Sequence, residues 1–201
     1  MGRLLFACLV GLVGAAIVHI AVIFAIPRVA QNDGWGRLSQ LGDLYEVVQI
    51  DGVTGGPSGI ANPPQRLDFL DPAFAVASCR FSIEDGPVHL FAGEHTDFWS
   101  ASIYDRRSNN LYSINDRSSV GGVFDLVVGT ADQLLDMRTN AVDRDETAIP
   151  VEVDLKEGYL ILRALIDHES ERADVGTFVR STRCEPLKSS ATTSGADDVT
   201  S

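Results

Sequence analysis

Basic residues are scarce in this 201-residue chain, with 16 Lys plus Arg against 28 Asp plus Glu and a net charge of −12. So few cations exclude nucleic acid as a partner, because phosphates need a basic face. They equally disfavour lying flat on anionic lipid. Catalytic strings are missing too. The sequence holds no G-x-G-x-x-G, no P-loop and no EF-hand pattern. A serine hydrolase needs G-x-S-x-G between a strand and a helix, and the nearest string, Gly56-Pro57-Ser58-Gly59, lacks that pattern and sits in a loop. No cofactor and no metal site are expected.

Charge is also absent from one long run. Leu4 to Ile26 reads LLFACLVGLVGAAIVHIAVIFAI, 23 positions without Asp, Glu, Lys or Arg. At about 1.5 Å per residue a helix of that length spans roughly 35 Å, slightly more than the roughly 30 Å hydrocarbon layer. The competing reading is a cleaved signal peptide, whose apolar stretch is only about 7–15 residues and ends in small residues. Here the run is longer, and Arg28-Val29-Ala30 puts a bulky cation at the candidate cleavage site. Residues 4–26 are therefore read as a transmembrane helix in the lipid bilayer, with 1–3 as a cytoplasmic stub. His19 lies near the exit end, where it can reach the headgroup region. Gly11 and Ala15 have the small-xxx-small spacing of paired membrane helices, a common pattern.

Cysteine is the third scarcity, with three in all. Cys8 lies in the apolar run, leaving Cys79 and Cys184 for the rest. An even count in an exported domain suggests one bridge; two buried free thiols are the alternative. All 28 acids lie beyond the helix, and the region that follows is long enough for one core and short for two.

Residues 27–43 read as a juxtamembrane segment. Pro27 prevents the membrane helix from continuing unkinked, and Asp33 can cap a short helix through Trp35, Leu38 and Leu41. Trp35 serves either as an interfacial anchor or as packing under the domain. Residues 44–187 read as a β-rich domain. Expected strands are Tyr45 to Ile50, Phe74 to Ser82, Val88 to Phe91, Phe98 to Tyr104, Leu111 to Ile114, Phe124 to Val128, Val151 to Val153 and Tyr159 to Ile166. Gly52 to Pro64, with four Gly and three Pro, reads as a loop. Thr130 opens a helical pattern with Leu134, Leu135 and Met137 inward, ending before Asn140. Arg172 to Thr182 fits strand or helix. Residues 188–201 lack large apolar side chains and are expected to be disordered. Short strands at roughly 8–12-residue spacing give a sandwich or barrel.

The most distinctive block is Phe98 to Arg117, FWSASIYDRRSNNLYSINDR. Alternation places Trp99, Ala101 and Ile103 on one face and Ser100, Ser102 and Tyr104 on the other. Asp105 to Asn110 supply turn chemistry, so the block reads as a hairpin with a polar loop. Together with Asp71-Pro72, Cys79-Arg80 and Gly86-Pro87, it resembles a bacterial family, domain of unknown function 1254, over about Trp35 to Cys184. A frequent partner, domain 1214, shows a similar Trp-Ser-x-x-x-Tyr-Asp strand and a terminal Asp-Arg. The resemblance implies a jelly-roll-like β-sandwich in the bacterial envelope, singly anchored in the inner membrane with its C-terminal domain in the periplasm. It implies no catalytic residue.

Two functions fit these readings. One is a ligand-binding or assembly module, in which Trp99, Tyr104, Asp105, Asn110, Tyr112, Asn115, Asp116 and Arg117 form a surface for an envelope glycan or a protein partner, such as a domain 1214 protein. Rings stack and amides hydrogen-bond, which suits either. The other is an envelope glycan or peptide hydrolase with Asp105, Asp116 and Arg117 around a pocket. His89 faces away from Val88 and Leu90, His168 sits in a solvated turn, and Glu94-His95-Thr96-Asp97 matches no specific ligand spacing.

Overall fold

The computed structural model describes residues 2–30, 33–50, 71–139 and 147–187. The glycine-proline stretch at 52–64 and the tail at 188–201 therefore lie outside the described residues. The apolar run forms one helix, α1 (Gly2–Ala30). Its segment Gly2–Ile26 is long and apolar enough to cross a membrane, and none of it is buried against the rest of the chain. The helix includes Gly2 and Arg3, and the backbone stays helical past Pro27 to Ala30. An interior proline forfeits one backbone hydrogen bond and kinks a helix without ending it at once. A second helix, α2 (Asp33–Leu41), follows, with Leu38 buried on its inward side.

The head is a mainly β sandwich. The larger sheet has the order β1-β2-β8-β4-β5 and the smaller one β7-β6-β3-β9. In chain order these are β1 (Val47–Gln49), β2 (Phe74–Ser82), β3 (Val88–Ala92), β4 (Trp99–Asp105), β5 (Asn110–Asn115), β6 (Asp125–Gly129), β7 (Ile149–Glu152), β8 (Glu157–Leu165) and β9 (Thr182–Pro186). All pairings are antiparallel except β6 with β7. That exception follows from connectivity, since parallel neighbours need a crossover and α3 (Ala131–Thr139) lies between them.

Alternation builds the core. Ala75, Ala77, Cys79 and Phe81 of β2, Trp99, Ala101 and Ile103 of β4, and Leu160, Leu162 and Ala164 of β8 face Val88 and Leu90 of β3 and Leu126 and Val128 of β6. Gly158 has no room for a side chain: a Cβ there would stand 2.7 Å from the Tyr104 carbonyl oxygen. The close approach of β8 to β4 depends on that bare position.

Thr130 and Gln133 cap α3 reciprocally. The Gln133 amide N–H donates to Thr130 Oγ1 at 3.3 Å, and the Thr130 N–H donates to Gln133 Oε1 at 2.9 Å. The expected inward set is only partly right, for Leu134 is buried while Leu135 is 61% exposed. Adjacent helical positions point about 100° apart, so a short helix on a sheet margin buries one of them. The ambiguous stretch resolves as helix α4 (Arg172–Ser181), with Val175, Phe178 and Val179 packed into the core. Strand β9 follows at once.

Strand β9 carries Cys184, which is joined to Cys79 of β2 across a sequence separation of 105. Since β2 and β9 belong to different sheets, the bridge fastens the two layers together. Closing a loop of that length constrains the unfolded chain. Replacing both cysteines by alanine is expected to lower stability by about 2–5 kcal/mol, read as a shift in the urea midpoint; an unchanged midpoint would show that core packing alone sets it.

Candidate functional site

The hairpin β4–β5 places the residues singled out above, and it divides them. Trp99 is fully buried. Its ring meets Phe124 edge-on at 5.2 Å, and its Nε1–H donates to the Gly122 carbonyl at 2.8 Å. Gly121 and Gly122 have φ of 64° and 74°, a left-handed pair that side chains resist, and this turn delivers the accepting carbonyl. Trp99 is thus a core residue and leaves the ligand surface. Tyr112 is half-buried against the same core.

Asp105 builds the turn. Its carboxylate accepts from the backbone N–H groups of Arg107 and Asn109, both at 2.8 Å, and from Asn109 Nδ2 at 2.7 Å. Partial burial pushes its carboxyl up, but the bonds from Asn109 and Arg107 outweigh that and hold it below the usual range. Asn110 Nδ2 donates to Ser113 Oγ at 2.9 Å, and Ser113 Oγ lies 2.9 Å from Ser102 Oγ. At the far end Asn115 Oδ1 accepts from the backbone N–H and hydroxyl of Ser118, capping a 3₁₀ turn over Asp116–Ser118. Arg117 is exposed there, whereas one oxygen of Asp116 is buried without a hydrogen-bond partner.

These placements bear on the hydrolase idea. Asn110 pairs with Tyr104 and Asn115 with Ser100, so Asp105 and Asp116 sit at opposite ends of the hairpin. At about 3.3 Å per residue they are roughly 15–20 Å apart, well beyond the about 5–9.5 Å that glycosidase carboxylates require. Asp105, Asp116 and Arg117 do not surround one pocket.

A different set converges on the outer face of the larger sheet. Tyr104 stacks on Tyr159 of β8 with ring centres 5.2 Å apart, and Trp35 of α2 stands 6.5 Å from Tyr159. The guanidinium groups of Arg80 and Arg106 lie 5.1 and 5.3 Å from the Trp35 ring centre. Arg80 also donates to the Gly42 carbonyl at 2.7 Å, and Arg106 to Glu157 at 2.7 Å. Burial raises the Tyr159 hydroxyl pKa, although a hydrogen bond with Ser108 opposes this. Two cations beside one indole ring hold α2 to the sheet. Of the two roles open to Trp35, packing against the domain is the one observed. Arg80, Arg106 and Tyr159 were not part of the sequence-based surface, because their meeting depends on strand order.

The smaller sheet carries a second polar pair. His89 Nε2 lies 2.7 Å from Asp125 Oδ1, and Thr147 Oγ1 donates to Asp125 Oδ2 at 2.8 Å. An ionised carboxylate only accepts, so Nε2 carries the proton. Phe91 stacks on the imidazole at 4.4 Å. Burial pushes the Asp125 carboxyl up, but His89 and Thr147 more than offset it and hold it below the usual range. Elsewhere, Glu94, His95 and Asp97 face Asp167, Glu171 and Asp174 across a groove of about 450 Å³. Among the described residues no group of three metal-ligating side chains converges.

The sign of the Asp125 effect follows from its lowered pKa. The ionised form is favoured by folding, so its contribution is present above the unfolded value of about 3.9. It is lost as pH falls through the lower folded value. Acid unfolding of Asp125→Asn should therefore show a shallower loss of stability below about pH 4 than the parent chain; superimposable acid limbs would remove Asp125 from the account. Separately, Trp35→Ala is expected to expose α2 (Asp33–Leu41) to limited proteolysis while the described strands of the head remain resistant; uniform resistance would mean that the contacts of Arg80 and Arg106 with Trp35 do not hold α2.

Neither a family model nor a curated protein matches this sequence. Among solved structures it is similar to a structural-genomics target from Vibrio parahaemolyticus, at 11% identity and a TM-score of 0.48, covering 68% of this chain and 33% of that one. It is also similar to an uncharacterised protein from Burkholderia cenocepacia, at 12% identity and a TM-score of 0.38, covering 60% of this chain and 31% of that one. The chain spans about a third of the length of either neighbour.

Proposed function

We propose that this chain is a membrane-tethered assembly module of the bacterial envelope, similar to short members of domain of unknown function 1254. The head stands in the periplasm, and the hairpin face is its interaction surface. The observation that carries the reading is α1. Twenty-five consecutive residues, apolar on every side, have none of their surface buried by the head. In water that surface is costly, and in a bilayer it is at home. The Cys79–Cys184 bridge supports an oxidising compartment. The strong excess of acids beyond the helix keeps the head off anionic lipid.

Assembly is favoured over hydrolysis by the separation of Asp105 from Asp116 and by the work each does in its own turn. What the hairpin offers outward is Tyr104, Asn110, Ser102 and Ser113, a shallow polar strip suited to a glycan or a protein partner such as a domain 1214 protein.

Full-length protein should remain in the membrane pellet after alkaline carbonate extraction, and a Ser113→Cys head should react with a membrane-impermeant maleimide in intact spheroplasts. Release by carbonate overturns the tether, and labelling only after lysis overturns the topology. Asn110→Asp is expected to reduce recovery of a co-purifying envelope component at least severalfold; unchanged recovery would move the contact surface off the hairpin.

A further inference from the structure

The head carries a groove that shares no residue with the hairpin surface. It lies between the loop joining β3 to β4, the end of β8 and the start of α4, and holds about 450 Å³. Its walls are tied together. The Leu165 N–H donates to the Phe98 carbonyl at 3.1 Å, and the Glu94 N–H donates to Ser181 Oγ at 3.1 Å. Five carboxylates line the groove, those of Glu94, Asp97, Asp167, Glu171 and Asp174, and no lining residue is Lys or Arg. Among the described residues only Asp167 has a cationic neighbour, His168 Nε2 at 3.7 Å. Arg172, next along the chain, turns to Glu169 at 2.7 Å. The helix dipole accounts for Glu171 and Asp174 at the start of α4. It does not account for Glu94 and Asp97 on the opposite wall. Carboxylates gathered without counter-charge repel one another, and a cationic ligand relieves that repulsion.

Thr96 points to the same place independently. The buried polar residues among those described are Ser78, Thr96, Asp125 and Thr182. Ser78, Asp125 and Thr182 each form a side-chain hydrogen bond within the chain. Thr96, only 9% exposed, has no side-chain partner among the described residues. The atoms sealed from solvent without a partner belong to Arg80, Ser108 and Asp116, so the Thr96 hydroxyl keeps an opening. That opening is the groove it lines. Buried hydroxyls as a rule find a partner, and a ligand N–H reaching into the groove supplies one.

We propose that this groove binds an aliphatic polyamine, its ammonium groups paired with the carboxylates and one N–H donated to Thr96 Oγ1. The distribution of charge selects that class. Among the described residues no three side chains converge as metal ligands do, so the negative charge is spread along the groove and not focused on one point. Ammonium groups separated by methylene chains match a spread field, whereas a metal ion needs a focused one. Phe98, Leu165 and Val175 give the methylenes apolar contact between the charges. The volume also suits a small ligand, since such pockets hold roughly 300–1,000 Å³, and it is too confined for a protein interface. The inference is independent of the tether and of the hairpin surface.

The test is calorimetric titration of the full chain, held in a neutral detergent at low salt, with spermidine. One spermidine per chain should bind. Asp97→Asn combined with Asp174→Asn should weaken binding about tenfold, the loss of two partly exposed ion pairs. Glu152→Gln combined with Asp154→Asn removes the same charge outside the groove and should leave affinity unchanged. Thr96→Val should weaken binding severalfold, and Thr96→Ser, which keeps the hydroxyl, should not. Retention of the Cys79–Cys184 bridge, read by gel mobility, and an unchanged urea midpoint report that each variant is folded. Absence of saturable binding overturns the proposal, as does indifference to Thr96→Val. Equal weakening by the two charge-removing pairs reduces the effect to general attraction by an acidic chain and overturns it too. Magnesium or an oligolysine peptide that displaces spermidine at lower concentration puts a metal or a protein in the groove, and likewise overturns it.

Discussion

The covalent link between Cys79 and Cys184 is the constraint on which the sandwich depends, because among the described residues it is the one disulfide, and it joins a strand of each layer. Strand pairing holds each sheet together edge to edge, but nothing in a ladder of backbone hydrogen bonds joins one sheet to the other. That task falls to side chains, and apolar packing has no direction of its own. The bridge supplies what packing lacks, a fixed point between β2 and β9. Phe81, Trp99, Phe124 and Phe178, all buried, then fill a space whose depth is already set. This matters more in a head of modest size, where one core buries a smaller share of its surface than it would in a larger domain.

The second organising contact joins α2 to the head. It runs through Trp35, whose ring lies about 5 Å from two guanidinium groups, one from a turn and one from a strand. Arg106 belongs to the hairpin turn and Arg80 to β2, so the indole gathers distant parts of the larger sheet. Tyr104 takes part through Tyr159, so this candidate surface residue is half committed to internal structure.

Much of the architecture was legible in the residues. The β2 limits at Phe74 and Ser82 follow from a mainly apolar stretch between turns, and the hairpin around Asp105 follows from its turn chemistry. The cap at Thr130 is written in Thr-x-x-Gln. What escaped depends on the third dimension. β9 reads Thr-Arg-Cys-Glu-Pro, too short and too charged to announce a strand, and it exists because β3 offers it an edge. Leu135 lost its place to Leu134 because the helix meets the sheet along a narrow line. Asp125 opens the apolar run of β6, and only the strand order reveals that it pairs with Phe91 and has His89 as its diagonal neighbour. Trp99 shows the same limit: alternation along β4 put its side chain inside, where the structure buries it, while the resemblance of the block had placed it on the candidate surface.

One feature of strand order governs how the head comes into being. β8, the middle strand of the larger sheet, spans Glu157–Leu165, yet its neighbours β2 and β4 were made some fifty to eighty residues earlier, on order-of-magnitude counting along the chain. Until β8 arrives, the nascent polypeptide holds two ribbons with facing sides unsatisfied and no route to close them. Maturation is therefore gated by a late event, and a polypeptide cut short before Glu157 would be sticky rather than merely incomplete.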